Sequence, residues 1–250
     1  MDEKDEQNPE LAEANSVRVL ETNVLHASDV LYWLDGASAT TEAEMSRIPH
    51  PLQVSINQKP HNLRVLNSPG RMALWRKPEE EMVEGRATEA QRERPVLANF
   101  DVSGEVHDPT GRYNPAVFSA NVGDGSGVSV VLYPSLIGTR TPPAGVAQGR
   151  LLFDGSGLPV VWGLLELEVT VAVAETIIFR AQADRNGDFL MALNRLPPLP
   201  ESVTEYAAVL RLTADSTADG NTAPDISSFV AVSYTHLRAH ETRYTISYSV

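Results

Sequence analysis

The amino-acid sequence predicts an all-β protein built from tandem antiparallel β-sandwich modules, with a disordered acidic N-terminal tail and at most one short helix. Short runs of β-branched and apolar residues recur along the chain between Pro, Gly, Asn and Asp. In residues 164–173 apolar and polar side chains alternate with a period of two, which suits a strand with one buried face. Hydrophobic residues make up 42% of the 250 residues, which is enough to bury a core.

The composition excludes several classes of protein. The chain carries 20 Lys and Arg against 33 Asp and Glu, a net charge of −13, so we expect no nucleic-acid partner. It has no cysteine, which excludes a disulfide scaffold, a Cys-ligated zinc site and a thiol nucleophile. No apolar run reaches the roughly 18 residues of a membrane-spanning helix, and the first residues are too acidic for a secretory signal. We therefore expect cytoplasmic synthesis, no signal peptide and no membrane insertion.

The first half of the chain divides by composition. Residues 1–14 carry six carboxylates against Lys4 alone, and a segment so charged cannot bury apolar surface, so we expect a solvated tail. Residues 15–75 are predicted as an N-terminal β module. One strand-like run begins at Val17, and three more span residues 30–34, 50–56 and 62–67. Residues 76–95 have mixed charges and no continuous apolar stripe, which favours a charged linker or a short helix.

Residues 96–148 are predicted as a middle β segment that ends in a linker rich in Pro and Gly at 139–149. The sequence leaves open whether residues 15–148 form one sandwich or two. The glycine run Gly123–Gly127 precedes the strand-like VSVVLY and has no Lys-Ser/Thr after it. We therefore interpret it as a hairpin loop rather than a phosphate-binding loop.

Residues 149–230 are predicted as a third β module. One face of its longest strand carries Leu165, Leu167, Val169, Val171 and Val173, and the other carries Glu166, Glu168, Thr170 and Ala172. The turn sequence Asp184–Asp188 separates two further alternating runs, with Ile177, Phe179 and Ala181 before it and Phe189, Met191 and Leu193 after it. Asp, Asn and Gly in this turn indicate a hairpin. Residues 206–214 supply another strand.

The motifs of residues 149–214 follow one another as strand, Asp/Gly turn, Pro, long alternating strand, and D-x-N-G-D-F leading into a strand. The positions that carry this order are Asp154, Gly157, Pro159, Trp162, Asp184, Gly187 and Phe189. The order resembles the carboxypeptidase-regulatory-like module, although the strand at 164–173 and the connection at 194–206 are longer than in that family. The resemblance implies a transthyretin-type, seven-stranded, non-catalytic sandwich that serves as a folding, spacing or interaction module. Similar modules in phage-tail-like and contractile-injection particles imply a place in such a released particle.

The last residues, 231–250, are predicted to be a non-natural tail. The run VSYTHLRAHET at 232–242 resembles one reading frame of a transposase-type sequencing-library adaptor, and Ala231 fits the adaptor bases before it. Such a segment is excluded from fold reasoning, and the natural protein then breaks off near Val230. The alternative is a natural strand, because alternating Tyr and Thr also suit β-structure.

Asp184, Asn186 and Asp188 have the 1-3-5 spacing of a calcium loop, but the other positions do not fit. Gly187 stands at loop position 4 rather than 6, and Arg195 stands at position 12 where the loop needs Glu. We therefore favour a structural turn. The histidines outside the tail show no metal-ligand spacing: His26, His50, His61 and His107. We expect no metal site, no cofactor and no catalytic residue.

Glu166 and Glu168 share a strand face, and we expect both to be solvated rather than to act as an acid pair. We expect Trp33, Trp75 and Trp162 to be core or interface anchors. The residues named for a ligand or interface contact are Trp162 and Tyr133, and binding of a sugar would need their rings to be exposed. The sequence thus predicts a non-enzymatic structural or protein-interaction module of a larger assembly, with protein partners and an open oligomeric state. The alternative is a carbohydrate- or small-ligand-binding β-sandwich that uses these two rings.

Overall fold

The computed structural model describes residues 29–76, 99–140, 145–153, 156–172, 175–194, 196–198, 205–239 and 248–249, with the backbone alone over 232–239 and 248–249. These residues contain fourteen strands and one short 3-10 helix, Ile226–Ser228. The predicted all-β class is confirmed. The acidic tail, the run from Val17, the linker or short helix after Arg76 and His26 lie outside the described residues.

The first seven strands form two sheets. One sheet has the order β3-β4-β1-β7 and consists of β1 (Asp29–Asp35), β3 (Leu63–Ser68), β4 (Arg71–Arg76) and β7 (Val128–Leu132). The other has the order β2-β5-β6 and consists of β2 (Gln53–Gln58), β5 (Phe100–His107) and β6 (Ala116–Val122). Neighbouring strands are antiparallel except β1 and β7, which are parallel.

These two sheets share one hydrophobic core, which settles how many sandwiches the first half contains. Trp33 of one sheet meets Phe118 of the other edge to face, with ring centroids 5.8 Å apart. Buried residues that precede and follow residues 77–98 in the sequence belong to this core, among them Leu31, Leu74, Val102 and Val122. The described parts of residues 29–132 therefore form one sandwich.

The remaining strands form a second pair of sheets around a second core. One has the order β10-β9-β12-β13 and consists of β9 (Leu164–Ala172), β10 (Glu175–Gln182), β12 (Tyr206–Ala214) and β13 (Val230–Ala239). The other has the order β11-β8-β14 and consists of β8 (Val146–Leu152), β11 (Asp188–Ala192) and β14 (Tyr248–Ser249). The predicted core faces of β9 and β11 are confirmed within the described residues, because Leu165, Leu167, Val169, Phe189 and Met191 are buried. Val173, predicted on the same face of β9, lies outside the described residues. The linker predicted for residues 139–149 does not extend to residue 149, because β8 begins at Val146.

Two turns predicted as hairpins connect different sheets. β10 pairs with β9 and β11 pairs with β8, so the Asp184–Asp188 turn leads from one sheet of the second sandwich to the other. In the same way β6 pairs with β5 and β7 with β1, so Gly123–Gly127 crosses the first sandwich. Both hairpin predictions are wrong. Turn chemistry specifies where the chain reverses, whereas the pairing partner of each strand depends on which faces are buried together.

The backbone of residues 230–239 forms β13, which pairs antiparallel with β12. Farther on, β14 pairs parallel with β8 through Tyr248 opposite Leu151. This pairing does not distinguish a natural strand from a translated adaptor. The non-natural origin of residues 231–250 therefore stays a prediction.

Candidate functional site

The two residues predicted for ligand or interface contact are buried. Trp162 and Tyr133 are 5% and 6% exposed. This burial confirms the prediction of Trp162 as a core or interface anchor and contradicts the exposed rings that the ligand-binding alternative needs. Trp162 donates its indole Nε1–H to the carbonyl of Asp219 at 3.1 Å and its backbone N–H to Asp184 at 3.2 Å. Its φ of 60° is rare for a bulky residue, and such backbone strain persists only where the surroundings hold it.

Tyr133 lies where the first sandwich meets the second. A Cβ on Gly36, in the loop after β1, would come within 2.6 Å of the Tyr133 ring. Burial raises the pKa of Tyr133, and the nearby charges that act on it include Arg180 and Glu166 of the second sandwich. The Tyr133 carbonyl accepts the backbone N–H of Asn114 at 3.0 Å. Tyr133, at the end of β7, thus lies close to the loop after β1, to Asn114 and to charged residues of the second sandwich.

The turn after β5 is organised by one carboxylate. Asp108 Oδ1 accepts the backbone N–H and the hydroxyl of Thr110, both at 2.8 Å. Asp108 Oδ2 accepts the N–H groups of Arg112 and Tyr113 at 3.0 and 3.1 Å, and the Nε2 of His50 lies 3.0 Å from it. Burial raises the pKa of Asp108, but the hydrogen bonds from Thr110 and His50 outweigh burial and hold that pKa below its ordinary value.

This turn carries Asn114 into the junction between the two sandwiches. Asn114 is 4% exposed, and its Nδ2 lies 3.3 Å from Gln182 Oε1 and 3.4 Å from the carbonyl of Ala183. Gln182 is itself 3% exposed. A backbone hydrogen bond of 2.9 Å from Val117 to Pro224 crosses between the two halves of the chain as well. Buried polar contacts therefore join the sandwiches.

A second set of polar contacts lies where β10 meets the loop after β1. Arg180 Nη1 donates to the carbonyl of Thr40 at 2.7 Å, and its Nε donates to Glu166 Oε2 at 3.0 Å. Arg211 Nη1 lies 3.2 Å from Glu166 Oε1 and 2.7 Å from Glu168 Oε2. The prediction that both glutamates are simply solvated is wrong, because cross-strand arginines pair with them and their side chains are 27% and 26% exposed.

Tyr113 and Asp35 form a further contact close to the junction. The Tyr113 hydroxyl donates to Asp35 Oδ2 at 2.9 Å. Burial raises the pKa of Asp35 more than this hydrogen bond lowers it. Burial also raises the pKa of Tyr113, and the charge of Asp35 adds to that increase. The phenol therefore stays protonated and serves as a hydrogen-bond donor.

Two grooves lie along the junction. The first, about 490 Å³ in volume, is lined by His107, Asp108, Gly111, Tyr113, Asn114, Pro115, Ser135, Leu136, Ile137, Trp162, Asp184 and Arg185. The second, about 360 Å³ in volume, lies between the loop after β1 and the strands β10 and β11. Both grooves draw their walls from the two sandwiches, so their shape depends on how the sandwiches are held together.

The Asp184–Asp188 turn uses its carboxylates for structure. Asp184 Oδ1 accepts the backbone N–H groups of Asn186 and Asp188 at 2.7 and 3.0 Å. Asp188 makes a two-pronged ion pair with Arg150, with N–O distances of 2.6 and 2.7 Å. Across the described ranges no group of three or more His, Asp or Glu side chains is placed to hold a metal ion.

The sequence offers little signal for the junction. Asn114 stands in a turn motif, where an exposed amide is the ordinary expectation, and its partner Gln182 is 68 residues farther along the chain. Gln182 stands between two alanines at the apolar end of β10. A polar residue in an otherwise apolar run indicates a buried hydrogen bond, and this is the signal that the sequence offers for the junction.

Comparisons of the chain with protein-family models, with curated proteins and with solved structures give no match. The described residues contain no helix with the length and hydropathy of a membrane span.

Proposed function

We propose that this chain is a non-enzymatic structural or protein-interaction component of a larger assembly. The observation that carries the proposal is the junction, where the buried amide of Asn114 hydrogen-bonds to Gln182 and Ala183. A buried polar contact restricts geometry because any shift leaves its groups unsatisfied. The two sandwiches therefore keep a set spacing and orientation, which a subunit of an assembly requires.

The partners of the polar side chains also support a structural role. The oxygens of Asp108 accept four hydrogen bonds that order its own turn, and His50 lies against that carboxylate. Glu166 and Glu168 pair with arginines across the sheet. Acid–base catalysis needs such groups directed at a substrate, whereas here they are directed at the protein itself.

The resemblance of residues 149–214 to the carboxypeptidase-regulatory-like module supports a finer proposal. Modules of that family space and connect other proteins, and similar ones occur in phage-tail-like and contractile-injection particles. We place the chain among the protein components of such a particle. The carbohydrate-binding alternative is not favoured, because ring stacking needs an exposed aromatic face and both Trp162 and Tyr133 are buried.

The test is co-expression of the full chain with the proteins encoded on either side of it in its source DNA, followed by native mass spectrometry. We expect a complex of defined stoichiometry with at least one of them. Asn114→Ala should reduce the yield of that complex, whereas Asn121→Ala, which alters an exposed amide on β6, should not. A chain that purifies without any of these neighbours would contradict the proposal.

A further inference from the structure

The second groove at the junction has the free edge of β10 as one of its walls. β10 is the end strand of the sheet β10-β9-β12-β13, and its residues 176–181 line this groove together with the loop after β1 and two residues of β11. We call it the β10 groove. An edge strand carries backbone N–H and C=O groups that a further strand can pair with. What the β10 groove can bind therefore depends on which of these groups already have a partner.

The pairing of β10 with β9 decides which backbone groups face the β10 groove. Ala183, just after β10, donates its N–H to the carbonyl of Gly163 at 2.8 Å, which continues the antiparallel register of β10 and β9. Hydrogen-bonded pairs recur at every second residue of an antiparallel ladder, so the odd-numbered residues of β10 bond to β9. The even-numbered Ile178 and Arg180 therefore present their N–H and C=O groups to the groove.

These outward groups of Ile178 and Arg180 have no hydrogen-bond partner within the described part of the chain. On the neighbouring edge strand β11, by contrast, the carbonyl of Leu190 already accepts the hydroxyl of Thr139 at 3.4 Å. Water can satisfy backbone groups at an edge until a protein partner replaces it. The edge of β10 is therefore available to another strand.

The side chains around the β10 groove indicate what kind of strand fits. Ile177 and Leu190 are half-buried among its lining residues, so alternate positions of an added strand need apolar side chains. Arg180 is already paired with Glu166, whereas Glu44 on the opposite wall is exposed and forms no ion pair with a described cationic side chain. The chain as a whole carries a net charge of −13. A neutral or basic segment therefore fits better than an acidic one, and better than a second copy of this chain.

We propose that the β10 groove receives an extended segment of a partner protein, neutral or basic in charge, which adds a strand to the edge of β10. The inference rests on the proposed function, because it assigns the surface through which an interaction component holds one of its partners. Residues 176–181 span about 20 Å at about 3.3 Å per residue, which suits a strand of five or six residues. Main-chain hydrogen bonds to Ile178 and Arg180 give the affinity, and apolar side chains against Ile177 and Leu190 give the selectivity.

Hydrogen exchange in the full, isotope-enriched chain tests the proposal, with the capped peptide Val-Lys-Val-Thr-Val-Lys-Val as the probe. In the isolated chain we expect the amides of Ile178 and Arg180 to exchange at least about tenfold faster than those of Ile177 and Phe179, which bond to β9. At saturation the peptide should slow exchange at Ile178 and Arg180 by at least about tenfold. The same peptide with a methyl group on every backbone nitrogen keeps the side chains but cannot donate, and it should have no effect.

Substitutions at one position separate main-chain pairing from side-chain contact. Ile178→Pro removes the outward N–H and leaves the bonds to β9 in place, because proline is tolerated on an edge strand where its nitrogen faces away from the sheet. We expect it to weaken peptide binding at least about tenfold through the loss of one main-chain hydrogen bond. Ile178→Val, the matched control, keeps the N–H and should bind the peptide as the unsubstituted chain does. Should Ile178→Pro not fold, the methylated peptide makes the same comparison on the unsubstituted chain.

Four results would overturn the proposal. Slow exchange at Ile178 and Arg180 in the isolated monomer would mean that another segment of the chain already covers the edge. Slow exchange in a chain that sediments as a dimer would make the occupant a second copy. The third result is a peptide that changes no exchange rate, and the fourth is undiminished peptide binding to Ile178→Pro.

These results can be told apart from those that bear on the proposed function. A chain that binds the peptide through β10 but forms no complex with the proteins encoded beside it contradicts the proposed function alone. A complex in which Ile178 and Arg180 still exchange rapidly contradicts the strand addition alone.

Discussion

The Nδ2 of Asn114 lies 3.3 Å from the Oε1 of Gln182, although the two residues are 68 positions apart and belong to different sandwiches. Both side chains are almost fully buried. This contact, with the one from Asn114 to the carbonyl of Ala183, makes the junction a packed and hydrogen-bonded region. The relative placement of the two sandwiches therefore depends on a few polar side chains.

Removing the Asn114 amide tests this dependence. Asn114→Ala leaves two buried acceptors without their donor, and each such group costs about 1–3 kcal/mol when it stays buried. For the two groups together we expect a loss of about 2–6 kcal/mol in the free energy of unfolding, measured by urea denaturation. Asn121→Ala, at an exposed amide, is the control, and an equal loss in both variants would contradict a special role for the junction.

Asp108 should make stability depend on pH. Its folded-state pKa is lowered, so its carboxylate stabilises the fold above the unfolded-state pKa of about 3.9, and this contribution disappears as pH falls through the folded pKa. The stability gap between the unmodified chain and Asp108→Asn should therefore be full near neutral pH and shrink below about pH 4. Denaturation midpoints of both proteins across this range provide the measurement. If the difference in stability between the two proteins stays constant across this pH range, an interaction other than the ionised Asp108 carboxylate accounts for that difference.

Asp29 orders the glycine loop between β6 and β7. Its carboxylate accepts the N–H groups of Gly123 and Gly127 at 2.8 and 2.9 Å. Asp29 is only 2% exposed. We expect Asp29→Ala to cost about 2–4 kcal/mol, since charged acceptors of buried N–H groups contribute more than neutral ones. Hydrogen exchange at Gly123 and Gly127 should accelerate at the same time. Asp124→Ala, at an exposed carboxylate in the same loop, should change stability much less.

Phe189 tests the face assignment of β11. Its side chain is 3% exposed in the second core, so Phe189→Ala should cost about 3–5 kcal/mol through lost burial and the cavity that remains. Leu190→Ala, on the alternate face of the same strand, should cost clearly less. A loss below about 1 kcal/mol for Phe189→Ala would show that the assignment is wrong.

Metal removal should leave stability unchanged. Asp184 accepts two backbone N–H groups within its turn, and Asp188 pairs with Arg150, so these carboxylates already have partners. We expect the same melting temperature with excess chelator and with excess calcium. An increase of several degrees with calcium would instead identify a binding site in this turn.

Much of the local structure could be read from the sequence. The alternation of Leu165, Leu167 and Val169 identified a strand and its buried face, because a period of two places every second side chain on the core side. β4 (Arg71–Arg76) was not predicted, since RMALWR lacks β-branched residues between its arginines. Its strand conformation follows from the two partners, β1 and β3, that pair with it.

Local patterning in the sequence predicts the all-β class, the buried faces of β9 and β11 and the positions where the chain turns, because these depend on neighbouring residues and on backbone chemistry. It does not predict that the turn at Asp184–Asp188 joins two sheets, that Tyr133 is buried, or that Asn114 contacts Gln182. These features depend on which distant strands bury their apolar faces together, and on which polar groups then find a partner away from water.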